Sequence, residues 1–188
     1  LINSDILKVD LKKLIKDEFD NKPFHVIANL PYYITTPIIM QILESRLPVV
    51  SMTLMVQKEV ADRMCATCGS KEYGALSVAV QYYTIPTVIC RAEPHCFIPQ
   101  PKVASSVVHL KVSATPTVTV SDEKKFFAIV KSSFGQRRKT LLNALSKSPY
   151  FSANKDSVRS ALVQMGVDEN IRGEKLSISQ FAKLSELL

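Results

Sequence analysis

The chain has 188 residues, 46% hydrophobic and 22% charged, an ordinary globular composition that can bury a core as one domain or two small ones. No apolar run is long enough to span a membrane, and neither a membrane segment nor a signal peptide is expected. Of the formal net charge of +7, the larger share (+5) falls beyond residue 112, which points to a polyanion-facing surface there, the alternative being a solvated basic face.

In chain order, Leu1 to Asp5 reads as the tail of a strand, and Val9 to Lys16 as a short helix or an irregular connection. An apolar run then gives a strand over 25–29. Thr36 and Pro37 have the chemistry of an N-cap and a first helical position, for a helix running to about Ser45. Met52 to Val56 is apolar and of strand length, and Lys58 to Met64 reads as a turn or two of helix. Ala75 to Tyr83 fits helix or strand by period. Pro86 to Arg91 is rich in strand formers. Phe97 to Lys102 contains Pro99 and Pro101, so its backbone is stiff and short of N–H donors. Ser106 to Val112 alternates as a last strand. Two strand–helix crossovers followed by a pair of strands indicate an α/β sheet with at least one antiparallel member.

The polar, proline-containing stretch Ala114 to Val120 marks a boundary. Beyond it the period becomes helical. Asp122 caps a helix over Phe126, Phe127, Ile129, Val130 and Phe134, which Gly135 stops. Arg137 to Ser146 reads as the next helix. Asn154 caps a third, with Gly166 at its end. Ser177 and Gln180 form a capping box that opens a fourth. The expected organisation is therefore 1–113, a linker at 114–120, and a helical bundle at 121–188. Four cysteines occur, Cys65 and Cys68 as C-x-x-C, then Cys90 and Cys96. Their spacing does not repeat and no histidine stands at zinc-finger distance. Reduced thiols in a soluble, cytoplasmic protein without a metal site are the expected state.

The stretch from His25 to Pro37, HVIANLPYYITTP, carries the chemistry. A short buried strand ends by presenting an amide, Asn29, and an aromatic ring, Tyr32. Open α/β sheets bind ligands at that carboxyl end of a strand. Asn-x-Pro-Tyr suits methylation of an exocyclic amine on a base. The Asn29 side-chain oxygen and the Leu30 carbonyl can accept the amine hydrogens, Pro31 shapes the turn, and Tyr32 can stack on a flipped base. The alternative is a proline-ended strand whose tyrosine is merely packed.

Three further stretches match in order. Asn29 to Pro37, together with Asn3-Ser4-Asp5-Ile6-Leu7-Lys8, the F-x-P-x-P-x-V-x-S-x-V loop from Phe97 to Val107, and Phe134 to Asn143 (FGQRRKTLLN), resembles the ribosomal RNA small-subunit adenine N6,N6-dimethyltransferases, the KsgA/RsmA family. The resemblance implies a partial Rossmann-like class I methyltransferase sheet over 1–113 and an all-helical rRNA-binding domain over 121–188. It implies S-adenosyl-L-methionine as methyl donor, with Asp5 and Asn29 at the cofactor. Tyr32 and Phe97 would hold the base, and Lys102, Arg137, Arg138 and Lys139 would meet RNA phosphates. The implied reaction is dimethylation of the N6 amines of two adjacent adenosines in small-subunit (16S-type) rRNA during ribosome biogenesis.

Family members begin with a glycine-rich cofactor loop and a ribose-binding acidic residue that this chain does not contain. It is therefore expected to be the C-terminal part of such an enzyme, inactive alone, with an exposed sheet edge at Val26 and Ile27 prone to associate. The intact protein is expected to be a monomer acting on the pre-small ribosomal subunit. Two alternatives stay open. One is a non-catalytic rRNA-binding assembly or transcription factor on the same fold. The other is a large-subunit rRNA adenine methyltransferase, whose relatives typically lack Tyr33 and the RRKTL stretch.

Overall fold

The structure, a computed structural model, describes residues 1–151 and 153–188. They form two compact units, one of residues 1–65 and 83–115, the other of residues 66–82 and 116–188. The chain thus enters the second unit twice, the second time within the polar stretch 114–120. Among the described residues no helix is long and apolar enough to cross a membrane.

The first unit opens without a strand. Leu1 to Asp5 is irregular and exposed, and the Asp5 carboxylate accepts from the Leu7 N–H (3.0 Å), capping a single 3-10 turn over Ile6–Lys8. The expected strand tail therefore gives way to a cap, because Asp bonds its local backbone more readily than it extends. Asp10 caps α1 (Leu11–Phe19), which ends with Asp20 in the left-handed region at φ 49°. β1 (Phe24–Asn29), α2 (Thr35–Glu44), β2 (Val49–Gln57) and α3 (Lys58–Met64) follow. After the excursion into the second unit the chain returns as β3 (Thr84–Ala92) and β4 (Ser105–Val112).

The sheet runs β1-β2-β4-β3; β1 and β2 are parallel, and β4 is antiparallel to both β2 and β3. It is the mixed sheet of an α/β unit. The centre is apolar, with Met52, Leu54 and Val56 of β2 and Val108 and Leu110 of β4 all buried. β2 is longer than its apolar stretch predicts, because Val49 and Ser51 are drawn into the ladder by Phe24 and His25. β1 lies at one end of the sheet and alternates half-buried Phe24, Val26 and Ala28 with exposed His25, Ile27 and Asn29. At the other end, β3 carries Pro86 and a bulge between Val88 and Cys90, two features that discourage further pairing. α2 starts one residue before the expected cap. The buried Thr35 hydroxyl donates to the Pro31 carbonyl (3.0 Å), and among the described residues no side chain caps the helix.

The second unit comprises residues 66–82, including all of α4 (Ala75–Tyr83) except its last residue, with α5 (Glu123–Gly135), α6 (Leu141–Ser146), α7 (Lys155–Met165) and α8 (Ile178–Leu187). Its caps follow the sequence closely: Asp122, Asn154, and the reciprocal box of Ser177 and Gln180. α6 is shorter than expected. Thr140 turns its hydroxyl to the Asn143 N–H (3.4 Å), so the helix begins at Leu141 and residues 137–139 lie in the preceding turn.

Residues 66–82 belong here because of their aromatic anchors. Tyr73 is 1% exposed and donates to the Leu176 carbonyl (3.0 Å), with its ring edge-on to Phe134 at 5.8 Å. Burial, with the Cys68 sulfur adding to it, pushes the Tyr73 hydroxyl well above the usual tyrosine range, so it stays a donor. The Tyr82 ring lies 5.2 Å from both Phe126 and Phe127. Gly173 sits so near α5 that a Cβ would stand 2.9 Å from the Ser133 Cβ and 3.1 Å from its carbonyl oxygen. Only glycine allows that approach.

Candidate active site

β1 delivers Asn29 at its carboxyl end, where Asn29 pairs with Met55 and Leu30 donates its N–H to the Met55 carbonyl (3.3 Å). Leu30 is buried and fastens the start of the turn to the sheet. Pro31 then bends the chain (φ −59°, ψ 133°), and its carbonyl accepts twice, from the Ile34 N–H (3.2 Å) and from the Thr35 hydroxyl. These bonds close a 3-10 turn over Tyr32–Ile34 that leads directly into α2. The Tyr32 hydroxyl lies 2.7 Å from Ser105 Oγ. Tyr33 is 84% exposed and borders a neighbouring hollow.

Phe97 follows a further short 3-10 turn (Pro94–Cys96), and the two-proline loop carries the chain back towards β4. Asn29, Leu30, Pro31, Tyr32 and Phe97 line one cavity of about 340 Å³, with Pro99 and Pro101 completing its wall. Among the described residues the Asn29 amide has no side-chain hydrogen-bond partner, and the residue is exposed. Five positions singled out from the sequence therefore converge, although Phe97 lies 68 residues beyond Asn29 in the chain.

Asp5 is elsewhere. It borders an adjoining hollow of about 470 Å³ whose apolar floor includes Val26, Ala28, Ile38 and Leu54, and which shares Leu30 and Pro31 with the first. One Asp5 oxygen caps the 3-10 turn, and the other lies 3.9 Å from Lys8 Nζ. The Leu30–Pro31 turn is thus a partition between two hollows of different character.

The basic residues divide. Lys102 is exposed and outside the cavity lining. Arg137 Nη2 donates to the carbonyls of Lys71 (2.7 Å) and Tyr73 (3.2 Å) and lies 3.6 Å from a Glu174 oxygen, so its guanidinium ties down the loop before α4. Arg138 and Lys139 are exposed and make no ion pair among the described residues. Arg137→Ala should accordingly lower the stability of the second unit by about 1–2 kcal/mol, the worth of a charge-assisted bond on a partly exposed side chain. Arg138→Ala should leave it within about 0.5 kcal/mol. Urea unfolding of both variants checks this, and equal midpoints would remove the structural role of Arg137.

Two residues escape sequence reasoning. Ser105 lies inside the recognised loop motif, but no spacing signals a hydroxyl contact across 73 residues. Thr35, whose hydroxyl closes the turn on Pro31, carries no signal in the sequence that sets it apart from Thr36. All four cysteines are free thiols. Burial raises Cys65, with Asp62 adding to it, and burial raises Cys68 against the opposing charge of Lys175. Neither is an activated nucleophile. Among the described residues no cluster of His, Cys, Asp or Glu could hold a metal.

The family model for ribosomal RNA adenine dimethylase matches residues 1–188. The chain is 53% identical over 188 residues to the ribosomal RNA small subunit methyltransferase A of Alkaliphilus oremlandii (strain OhILAs), covering all of this chain and 65% of that protein. Its structure is similar to that of a dimethyladenosine transferase from Plasmodium falciparum, with TM-score 0.70 and 26% identity over 85% of this chain and 64% of that one. The fold is also that of the 23S rRNA methyltransferase ErmE, with TM-score 0.67 and 23% identity over 100% of this chain and 70% of that one. The chain thus spans just under two thirds of the length of that relative. The match of the family model from the first residue to the last places the chain in the ribosomal RNA adenine dimethylase family.

Proposed function

We propose that this chain contributes the base-binding turn and the RNA-facing helical unit of an S-adenosyl-L-methionine-dependent enzyme. The enzyme dimethylates the N6 amines of two adjacent adenosines in small-subunit rRNA, on the assembling ribosomal subunit, in the cytoplasm. The observation that carries this reading is the single cavity of about 340 Å³ that gathers Asn29, Leu30, Tyr32 and Phe97.

The N6 lone pair of adenine is delocalised into the ring, so the amine is a weak nucleophile that gains most from being held in line. Asn29 Oδ1 and the Leu30 carbonyl accept the amine hydrogens and turn the lone pair outward. Tyr32 and Phe97 clasp the ring by its faces, which suits any flipped purine and leaves selection to the amide. A base of tuned pKa is not needed to form the new bond, because positioning supplies most of the acceleration. The hollow bordered by Asp5 suits the adenine portion of the cofactor, with apolar side chains for the ring and a carboxylate for its amine. S-adenosyl-L-methionine, when bound, supplies an electrophilic sulfonium methyl group.

Arg138, Lys139 and Lys102 offer free cationic groups to phosphates, and Arg137 shapes the turn that presents the first two. Neutralising Arg138 and Lys139 together should weaken RNA binding across sequences and flatten its salt dependence by about two counterions' worth of slope. An unchanged slope would return them to the solvated surface.

The direct test is methylation by the full-length protein of small-subunit particles lacking the modification, read as dimethyladenosine by mass spectrometry of digested RNA. Two adjacent dimethylated adenosines are expected. Product only on large-subunit RNA, or none on either, would overturn the reading.

A further inference from the structure

We propose that Ser105 is a positioning residue for the target base, acting through the Tyr32 hydroxyl. The inference rests on the reading above that Tyr32 faces the base. Ser105 Oγ and Tyr32 Oη are 2.7 Å apart, and the two anchors differ in kind. Ser105 is fully buried and opens β4, where it is in register with Gln57 of β2 and Ala92 of β3, so strands on both sides fix it. Tyr32 is half-buried and belongs to a 3-10 turn of three residues. A tyrosine ring has only two side-chain torsions, and holding its far end fixes the plane of the ring as well as its place. A stacking platform works only if that plane is set before the base arrives.

The loop carrying Phe97 returns to β4 at Ser105, and the carbonyl of the preceding Ala104 accepts the Lys58 N–H at 2.9 Å. The loop that carries Phe97 thus rejoins the sheet at the residue that holds the Tyr32 hydroxyl. Ser106 provides the contrast. It is equally buried one residue on, yet its hydroxyl oxygen has no hydrogen-bond partner among the described residues.

The test uses the full-length protein with Ser105→Ala, Tyr32→Phe, the double variant, Ser105→Thr and Ser106→Ala. Single-turnover methylation is measured at saturating RNA and cofactor. A second readout needs no reaction: the fluorescence of RNA with 2-aminopurine at the target adenosine, quenched when the base stacks. Ser105→Ala and Tyr32→Phe should each slow methylation about fivefold, the equivalent of one neutral hydrogen bond, and the double variant should lose no more than either alone. Both should reduce quenching with RNA affinity unchanged. Ser105→Thr should recover most of the rate, and Ser106→Ala should stay within about twofold of the parent. If Ser105→Ala fails to fold, Tyr32→Phe removes the same bond from the other end, and parent-like quenching in that variant overturns the proposal. Losses that multiply in the double variant also overturn it. Tyr32→Ala separates this failure from that of the underlying reading: a parental rate there sinks both, whereas a large loss beside a parental Ser105→Ala sinks only the positioning role.

Discussion

Asn29→Ala in the full-length protein should reduce kcat for adenosine methylation by on the order of 10², with RNA affinity nearly unchanged. Asn29 ends β1 at the mouth of the cavity, with its amide uncommitted to any other side chain among the described residues. An acceptor aimed at the reacting amine strengthens as the nitrogen gains positive character, so its removal falls on the transition state rather than on capture of the RNA. RNA affinity is expected to rest mainly on phosphate contacts, which the variant leaves intact. Tyr32→Ala should differ, losing part of its effect in base capture, because stacking is worth roughly 1–3 kcal/mol per base. Single-turnover rates at saturating RNA check both. A parental rate for Asn29→Ala would reduce the amide to a turn residue.

Phe126→Ala should destabilise the second unit by about 3–5 kcal/mol, a large part of what a small domain has. Phe126 is fully buried, and its ring packs 5.2 Å from Tyr82 and 5.0 Å from Phe127. The loss therefore has two parts: a cavity inside the helical bundle, and a missing partner for the segment 66–82. Denaturant unfolding followed by circular dichroism gives the total. Amide exchange across 75–82 should quicken more than across α8 if the Tyr82 contact anchors that segment. A loss under about 1 kcal/mol would mean that the bundle repacks around the gap.

What the sequence disclosed was what short-range chemistry decides. Asp122, Asn154 and the Ser177–Gln180 box satisfy helix termini with neighbours two or three residues away, and all three cap as read. The Asn29 to Tyr32 turn was equally legible, since its shape follows from consecutive residues. Extent and partnership were less so. β2 gains residues from its neighbour's backbone, which composition does not record. Leu1 to Asp5 looked extended, but a single Asp–backbone bond redirects it. The basic run 137–139 reads as helical, but Thr140 caps α6 after it; Arg137 reads as phosphate-facing, but its guanidinium donates to the carbonyls of Lys71 and Tyr73. The Ser105–Tyr32 contact lies in the same class. Each depends on a partner brought close only by the fold.

The split composition of the second unit sets an order of events during synthesis. Residues 66–82 leave the ribosome before β3 and β4, yet Tyr73 finds its acceptor at Leu176, 103 positions later. Closing so long a loop adds only a modest entropic cost, because that cost rises with the logarithm of length. Waiting is the greater burden. Until residue 176 has been made, Tyr73 lacks its acceptor, and the nascent chain carries a sticky aromatic segment without all its partners. Folding of this unit should therefore be gated by its last residues, so that C-terminal truncation before Leu176 releases a segment more than ninety residues upstream.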